Sequence, residues 1–572
     1  MALVVGTAGA AAAWCLLHLI NLVTSLAYFG ELGAAHVTPV GSPFGVAATF
    51  IPVAGCFVVG LMARYGSERI RGHGIPEAIE AILIGRSRIE AKVAILKPLS
   101  SAISIGTGGP FGAEGPIIMT GGALGSLFAQ LFNLSPAERK TLLVAGAAAG
   151  MSATFGTPIA AMLLAVELLL FEWKPRSFVP VAVAATVAEV WRASLLGAGP
   201  LFPMAASPIL GPVGLLLCAV VGLAGGLASG VLTGMVYKAE DLFQRLPIHW
   251  MWWPMLGGVL IGIGGLIEPH ALGVGYDNIA ALLQGSVGNP EALRLLLVKS
   301  VIWALALGSG TSGGVLAPLL IMGGVFGRLL GTALPLADPP LWALLGMAAM
   351  MGGTMRAPLT GLLFALELTH NFAAMLPLVF ACTTAYATTV LLLKRSILTE
   401  KIARRGHHIT REYSIDPFEL MFVREVMAHP VDTLPARMTV AEAVQFFTAP
   451  DAPRRHKSYP VVDPSGSVLG MVSRTDALHW MVAGDHARGT LGEELAAREL
   501  VIGYEDEPVG RLADRMAETR MGRIPILRRA DSQLVGLVAR RDILRVRAAV
   551  NSTERDREAL IRLGAARARA CN

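Results

Sequence analysis

Residues 193–237 run for 45 positions without a single Lys, Arg, Asp or Glu. Seven more stretches within the first 400 residues are equally uncharged: 1–30, 32–63, 115–137, 141–166, 246–267, 300–327 and 368–393. A helix crossing the hydrocarbon core needs about 20 apolar residues, so each stretch is long enough for one span and the longest has room for two. Lipid offers no partner to backbone N–H and C=O groups, and an uncharged run of this length satisfies them within itself as a helix. A polytopic all-α membrane region is therefore predicted. Its opening, MALVVGTAGAAAAWCLLHLI, lacks the basic leader of a signal peptide and reads as a retained helix. Charge then returns abruptly, with 38 charged residues in 1–400 and 50 in 401–572. That step predicts a membrane domain at 1–405, a polar linker at 406–420, a soluble α/β region at 421–550 and a charged tail at 551–572.

The net charge of +6 is no sign of nucleic-acid binding. Arg64, Arg69, Arg71, Arg86, Arg88, Lys92 and Lys97 crowd between two uncharged stretches, the pattern of a cytoplasmic loop. Lys394, Arg395, Lys401, Arg404 and Arg405 lead into the soluble region, which puts it in the cytoplasm by the same rule. The five cysteines are scattered singly and read as packing residues, with no metal site. Neither H-E-x-x-H nor G-x-x-x-x-G-K-[ST] occurs, so an intramembrane metalloprotease and a P-loop motor lose their support. No nucleophile–base pair points to an enzyme.

The membrane region repeats itself. Gly146, Thr154, Pro158, Leu163, Ala165 and Glu167 recur 200 positions later as Gly346, Thr354, Pro358, Leu363, Ala365 and Glu367. Gly108, Gly112 and Pro116 recur at an offset of 202 as Gly310, Gly314 and Pro318. Two halves follow, at about 30–200 and 210–400. Gly and Pro interrupt three apolar segments, at 72–79, 106–116 and 308–318. Matched breaks in two halves of a membrane protein point to a midplane site built from helix N-termini, whose free N–H groups and partial positive charge suit an anion. The plainer reading is that these glycines let helices pack closely.

Glu114 is the only charged residue between Lys97 and Glu138, and it lies inside one of the breaks. An acid at the bilayer centre costs about 2.5–3.5 kcal/mol on insertion scales, which marks it as functional. Ionised at a helix N-terminus, Glu114 would occupy the anion's own place. Protonation or a competing anion would displace it, making a proton-sensitive gate.

With Gly72-His-Gly-Ile-Pro76, Gly112-Ala-Glu-Gly-Pro116 and Gly314-Val-Leu-Ala-Pro318 in this order, the chain resembles the CLC family of voltage-gated-type chloride channels and chloride/proton exchangers over residues 1 to about 405. The family patterns are G-S-G-I-P, G-[KR]-E-G-P and G-x-F-x-P. The resemblance implies a homodimer with one anion pathway per subunit and a mostly helical fold of two inverted halves with broken helices. It also implies that Glu114 is the gating glutamate. The ion would be cradled by Gly72, His73, Gly74, Ile75 and Pro76, by Gly112, Gly115 and Pro116, and by Gly314, Val315 and Leu316.

Five departures bear on selectivity and coupling. His73 replaces a serine whose hydroxyl helps coordinate the anion; an imidazole N–H can still donate, or His73 is only a surface or vestibule residue. Leu316 replaces a phenylalanine, Leu398 a tyrosine, and Ala113 a basic residue. At the inner acid position of the exchangers Leu168 stands beside Glu167, and a leucine carries no proton. That favours uncoupled flow, and Glu167 and Glu367 are read as helix caps before proton carriers.

The soluble region holds a second repeat, Tyr459-PVVDPSGSVLGMVSRTDAL and Ile524-PILRRADSQLVGLVARRDIL, with units expected at about 421–485 and 490–550. Lone units of about 60 residues are marginal, so a mutually packed pair is expected. It resembles a tandem CBS pair. That resemblance implies a possible regulatory adenine nucleotide (ATP, ADP or AMP) with no cofactor required, at Ser473, Thr475 and Asp476 of one copy and Asp542 of the other, where Ala539 replaces the serine.

The expected function is chloride transport gated by Glu114, leaning to channel-like flow, with proton-coupled antiport as the alternative. A divalent-cation transporter carrying CBS domains is the competing class, but it would want several intramembrane carboxylates. The composition points to a bacterial inner membrane.

Overall fold

The computed structural model describes residues 1–83, 85, 87–132, 134–334, 338–393, 395–404, 421–448, 456–483 and 489–546. The linker at 406–420, the tail at 551–572 and the basic residues Arg86, Lys394 and Arg405 lie outside the described residues. The chain divides into two units, Met1–Glu412 and Tyr413–Asn572.

The named elements of the first unit are all helices. Its first half comprises α1 (Ala2–Phe29), α2 (Phe50–Tyr65), α3 (Ile75–Leu83), α4 (Ala91–Gly106), α5 (Glu114–Gln130), α6 (Pro136–Phe155), α7 (Pro158–Leu164) and α8 (Pro175–Leu195). The second half follows the same sequence of long and short elements: α9 (Pro212–Gln244), α10 (Trp253–Ile267), α11 (Tyr276–Leu283), α12 (Asn289–Gly308), α13 (Leu316–Gly331), α14 (Pro339–Met355), α15 (Pro358–Thr369) and α16 (Met375–Leu392). A short α17 (Ile397–Arg404) is the last described element of the unit. Six helical stretches among the described residues are long and apolar enough to cross a membrane.

Local signals explain the boundaries. A capping box between Ser135 and Glu138, with Pro136 in the first turn, starts α6. Asp338 caps α14 through the Leu341 N–H, with Pro339 behind it. α6 ends on Gly156 in the left-handed region, φ 69°. Without water to drive association, helices pair through small residues. α5 lies along α6 and α13 along α14, where Gly121 meets the Gly146 carbonyl and Gly323 the Gly346 carbonyl.

The uncharged interval 193–237 supplies one span and not two. Residues 196–211 are non-helical, with Pro203, Pro208 and Gly211 among them, and the single helix α9 then runs for 33 residues. The interval 300–327 is likewise split, between the end of α12 and most of α13.

The second unit contains two three-stranded sheets. In the first, β1 (Leu434–Pro435) runs parallel to β2 (Ser458–Val462), which pairs antiparallel with β3 (Val468–Ser473). In the second, β4 (Gly503–Tyr504) is parallel to β5 (Arg523–Leu527), which is antiparallel to β6 (Leu534–Ala539). The two-residue strands β1 and β4 escape a pattern search because two residues carry no alternation. The helices α18 (Val440–Thr448), α19 (Arg474–Ala483), α20 (Leu491–Leu495) and α21 (Val509–Glu518) cover these sheets. The two cores do not follow the order of the chain. Val423 joins the second core with Val509 and Ile524, and Ala428 pairs with Leu537. Leu491 and Leu495 join the first core with Val461 and Trp480. The copies thus exchange their flanking segments, and Arg523 reaches the Ser458 hydroxyl at 3.2 Å between the sheets.

Candidate anion site

The three Gly/Pro breaks converge on one buried point. Gly112 and Gly314, 202 residues apart, exchange N–H···O bonds at 3.2 and 2.8 Å as an antiparallel pair, so equivalent residues of the two halves face each other about a local two-fold axis. Gly72 bridges to Ser312, and Gly313 N–H donates to the Gly72 carbonyl at 3.4 Å. The helices launched here are α3, α5 and α13. Gly115 has no room for a side chain, since a Cβ would run into the His73 carbonyl.

Glu114 is the first residue of α5 and is fully buried. Its Oε1 accepts the Ala317 N–H in the first turn of α13. Its Oε2 is buried without a hydrogen-bond partner among the described residues. The carboxylate therefore spans from the start of one helix to the start of its repeat partner, on the free donors that a helix N-terminus presents. Ile75, Val315 and Leu316 beside it are fully buried, as is Leu398 on α17.

His73 is buried, not a surface residue. Its Nδ1 lacks a partner among the described residues, and it lines a cavity of about 830 Å³ shared with Arg71, Gly72, Glu77, Trp250 and Lys401. Glu77 Oε2 accepts the Gly74 N–H at 3.0 Å and Oε1 pairs with Lys401 Nζ at 2.6 Å. The Arg71 guanidinium stacks 4.5 Å from the Trp250 ring centroid.

The sequence places Lys97 in a basic loop cluster, yet the residue is fully buried on α4. Its ammonium donates to the Ile70 and Gly72 carbonyls at 2.8 and 2.7 Å and to Ser312 Oγ at 3.1 Å, tying two of the breaks together. Lys299, its counterpart on α12, donates to the Ala271 and Gly273 carbonyls at 3.0 and 3.4 Å. Gly72 and Gly74 turn in the left-handed region, and so do Gly273 and Gly275. The signal was in the chain: G-H-G-I at 72–75 recurs as G-V-G-Y at 273–276, and Lys97 recurs as Lys299 at the offset of 202 shared by Gly112 and Gly314.

Glu167 and Glu367 lie away from this point and cap each other's repeat. Glu167 accepts the Leu359 and Thr360 N–H groups at 3.3 and 2.9 Å at the start of α15. Glu367 accepts the Ile159 and Ala160 N–H groups at 2.9 and 2.7 Å at the start of α7. Leu168 is fully buried in the π-helical turn Ala165–Leu170.

In the second unit Asp476 Oδ2 accepts the Ser473 N–H and hydroxyl at 2.8 and 2.5 Å, and Oδ1 pairs with Arg498 at 2.9 Å. Half-burial pushes this carboxyl up, but the Ser473 and Arg498 bonds outweigh it and hold it below the usual aspartate range. Thr475 is exposed beside it. Asp542 accepts the Ala539 N–H at 2.9 Å, with Arg541 and Arg545 at 3.6 and 3.8 Å.

Residues 54–390 match the voltage gated chloride channel family, and residues 423–483 and 493–549 each match the CBS domain. The chain is 29% identical over 368 residues to a putative chloride channel protein ClcB-like of Ralstonia nicotianae, covering 63% of this chain and 86% of that protein. It is 30% identical over 354 residues to an H(+)/Cl(-) exchange transporter ClcA of Salmonella paratyphi B, covering 59% of this chain and 73% of that protein. Its fold is similar to that of a slow cyanobacterial Cl-/H+ antiporter, at a TM-score of 0.62 and 22% identity over 71% of this chain and 96% of that one. It is also similar to a eukaryotic CLC transporter, at a TM-score of 0.59 and 19% identity over 95% of this chain and 97% of that one. The chain belongs to the voltage gated chloride channel (CLC) family and is a multi-pass membrane protein of anion transport.

Proposed function

We propose that chloride passes through each subunit along a pathway gated by Glu114, with the starts of α3, α5 and α13 as its cradle. The observation that carries this reading is the buried Glu114 carboxylate bound to the first turn of α13, where an anion would otherwise accept the same donor. The cavity at Arg71, His73 and Lys401 is then the cytoplasmic approach, and the CBS pair lies on that side of a bacterial inner membrane. His73, Leu316 and Leu398 set its anion preference, and the functional unit is a homodimer.

Chloride efflux from liposomes carrying the purified chain tests the gate. Glu114→Gln or Glu114→Ala is expected to remove the pH dependence of efflux while the protein remains folded. Unchanged efflux and pH dependence in both variants would overturn the assignment.

Two readings of coupling each have support. Proton-coupled exchange is favoured by the relatives named H(+)/Cl(-) exchange transporters and by a single titratable gate. Uncoupled flow is favoured by the buried Leu168 at the inner acid position. Reversal potentials under a proton gradient at fixed chloride distinguish them, because only an exchanger shifts.

We also propose regulation by an adenine nucleotide at the CBS pair. Ser473 and Asp476 support it, and Arg498 binds one of the Asp476 oxygens a ribose would use. Calorimetric titration of the full chain with ATP, ADP and AMP is expected to give heat that Asp476→Ala removes; no heat at millimolar nucleotide would leave the pair a structural role.

A further inference from the structure

Two buried oxygens lack partners among the described residues: Glu114 Oε2, whose carboxylate rests on the first turn of α13, and the hydroxyl of Tyr276 on α11, the helix packed against α13. Folded proteins rarely leave such groups unpaired without a reason. Tyr276 opens α11 and is close enough to Glu114 for the two groups to interact electrostatically. Its ring is fixed edge-on by Phe155 and Phe202, at centroid distances of 6.2 and 5.9 Å. Phe155 is braced in turn by Phe364 at 5.1 Å. The backbone under Tyr276 is fixed too, because Lys299 binds the Ala271 and Gly273 carbonyls just before it. Tyr276 thus presents a rigid donor in an apolar wall, within electrostatic reach of a carboxylate with one oxygen to spare.

If Glu114 is the gate, an anion arriving at the start of α13 pushes the carboxylate off the Ala317 N–H. A displaced carboxylate inside protein needs another donor, or its burial opposes the displacement. We propose that Tyr276 is that donor: a positioning residue whose hydroxyl receives the Glu114 carboxylate in its displaced position and so sets the balance between blocked and open pathway. The inference rests on the gating role of Glu114. Other ionisable groups near the two are already engaged: Lys97 with Ile70 and Gly72, Glu77 with Lys401, Lys299 with Ala271 and Gly273, and Asp277 with His36 at 3.3 Å. The His73 ring faces the cavity on the α3 side.

The test is chloride efflux against pH for the full chain in liposomes. Tyr276→Phe keeps the ring and its edge contacts and removes only the hydroxyl. It is expected to lower efflux about tenfold at neutral and alkaline pH, the size of a lost hydrogen bond to a charged group, and to leave efflux near wild type at acid pH, where a protonated Glu114 no longer competes for the site. In a Glu114→Gln background the same substitution is expected to have no effect. A Tyr276→Phe profile that superimposes on wild type while Glu114→Gln still abolishes pH dependence overturns the tyrosine's role alone. An equal loss in both backgrounds overturns it as well, since the hydroxyl would then act through something else. Retained pH dependence in Glu114→Gln removes the gate, and this inference with it.

Discussion

At the scale of single residues, the buried cations deserve as much weight as the buried acid. Lys97 is enclosed, and three oxygens, two carbonyls and a hydroxyl, share its charge. Hydrogen bonds to charged groups are worth about 1.5–3 kcal/mol each, and buried acceptors left unmet cost a similar amount. Lys97→Met keeps the length of the side chain and removes the donor. It is expected to lower the thermal unfolding midpoint in detergent by several degrees and to depress chloride efflux, because the turns at 70–74 and 312 lose their shared anchor. Wild-type efflux and stability in this variant would show that the breaks hold their geometry without it. Sequence patterning hid this role: a lysine five residues after Lys92 looks like part of the same basic cluster, and only its burial on α4 reveals otherwise.

Between elements, the two glutamates at the repeat ends act as an exchanged pair of caps. Each takes two N–H groups that a helix N-terminus leaves open, one cap for α15 and one for α7. Glu367→Ala is expected to cost about 1–2 kcal/mol of stability, the range for loss of an N-cap, while proton flux through the pathway stays unchanged. Glu367→Gln, which keeps one acceptor oxygen and cannot carry a proton, is expected to recover part of the stability. A specific loss of proton flux in either variant would make Glu367 a carrier instead of a cap.

Over the whole molecule, the parts legible in the sequence were those governed by chemistry along the chain. Uncharged intervals marked the membrane unit, and the Gly/Pro breaks marked where helices begin inside it. The 200- and 202-residue offsets exposed the halves. What stayed hidden depends on contacts across the chain: the Gly112–Gly314 pairing, the bonds from Lys97 and Lys299, and the packing of α11, with Tyr276 at its start, against α13. The interval 193–237 misled because lack of charge limits where a helix can lie in lipid and says nothing of where it stops. The exchanged flanks of the CBS cores were equally invisible, since a repeat in sequence fixes the similarity of two units and not which segment completes which.

The exchanged caps also bear on how such a chain comes into being. A ribosome delivers the start of α7 about two hundred residues before Glu367 exists. Until then the first half sits in the bilayer with open backbone donors, a debt to a sequence not yet translated. Its insertion can be early, but its completion must wait. Neither half closes all of its own helix starts, and a mutation at the end of one repeat is felt first at the beginning of a helix in the other.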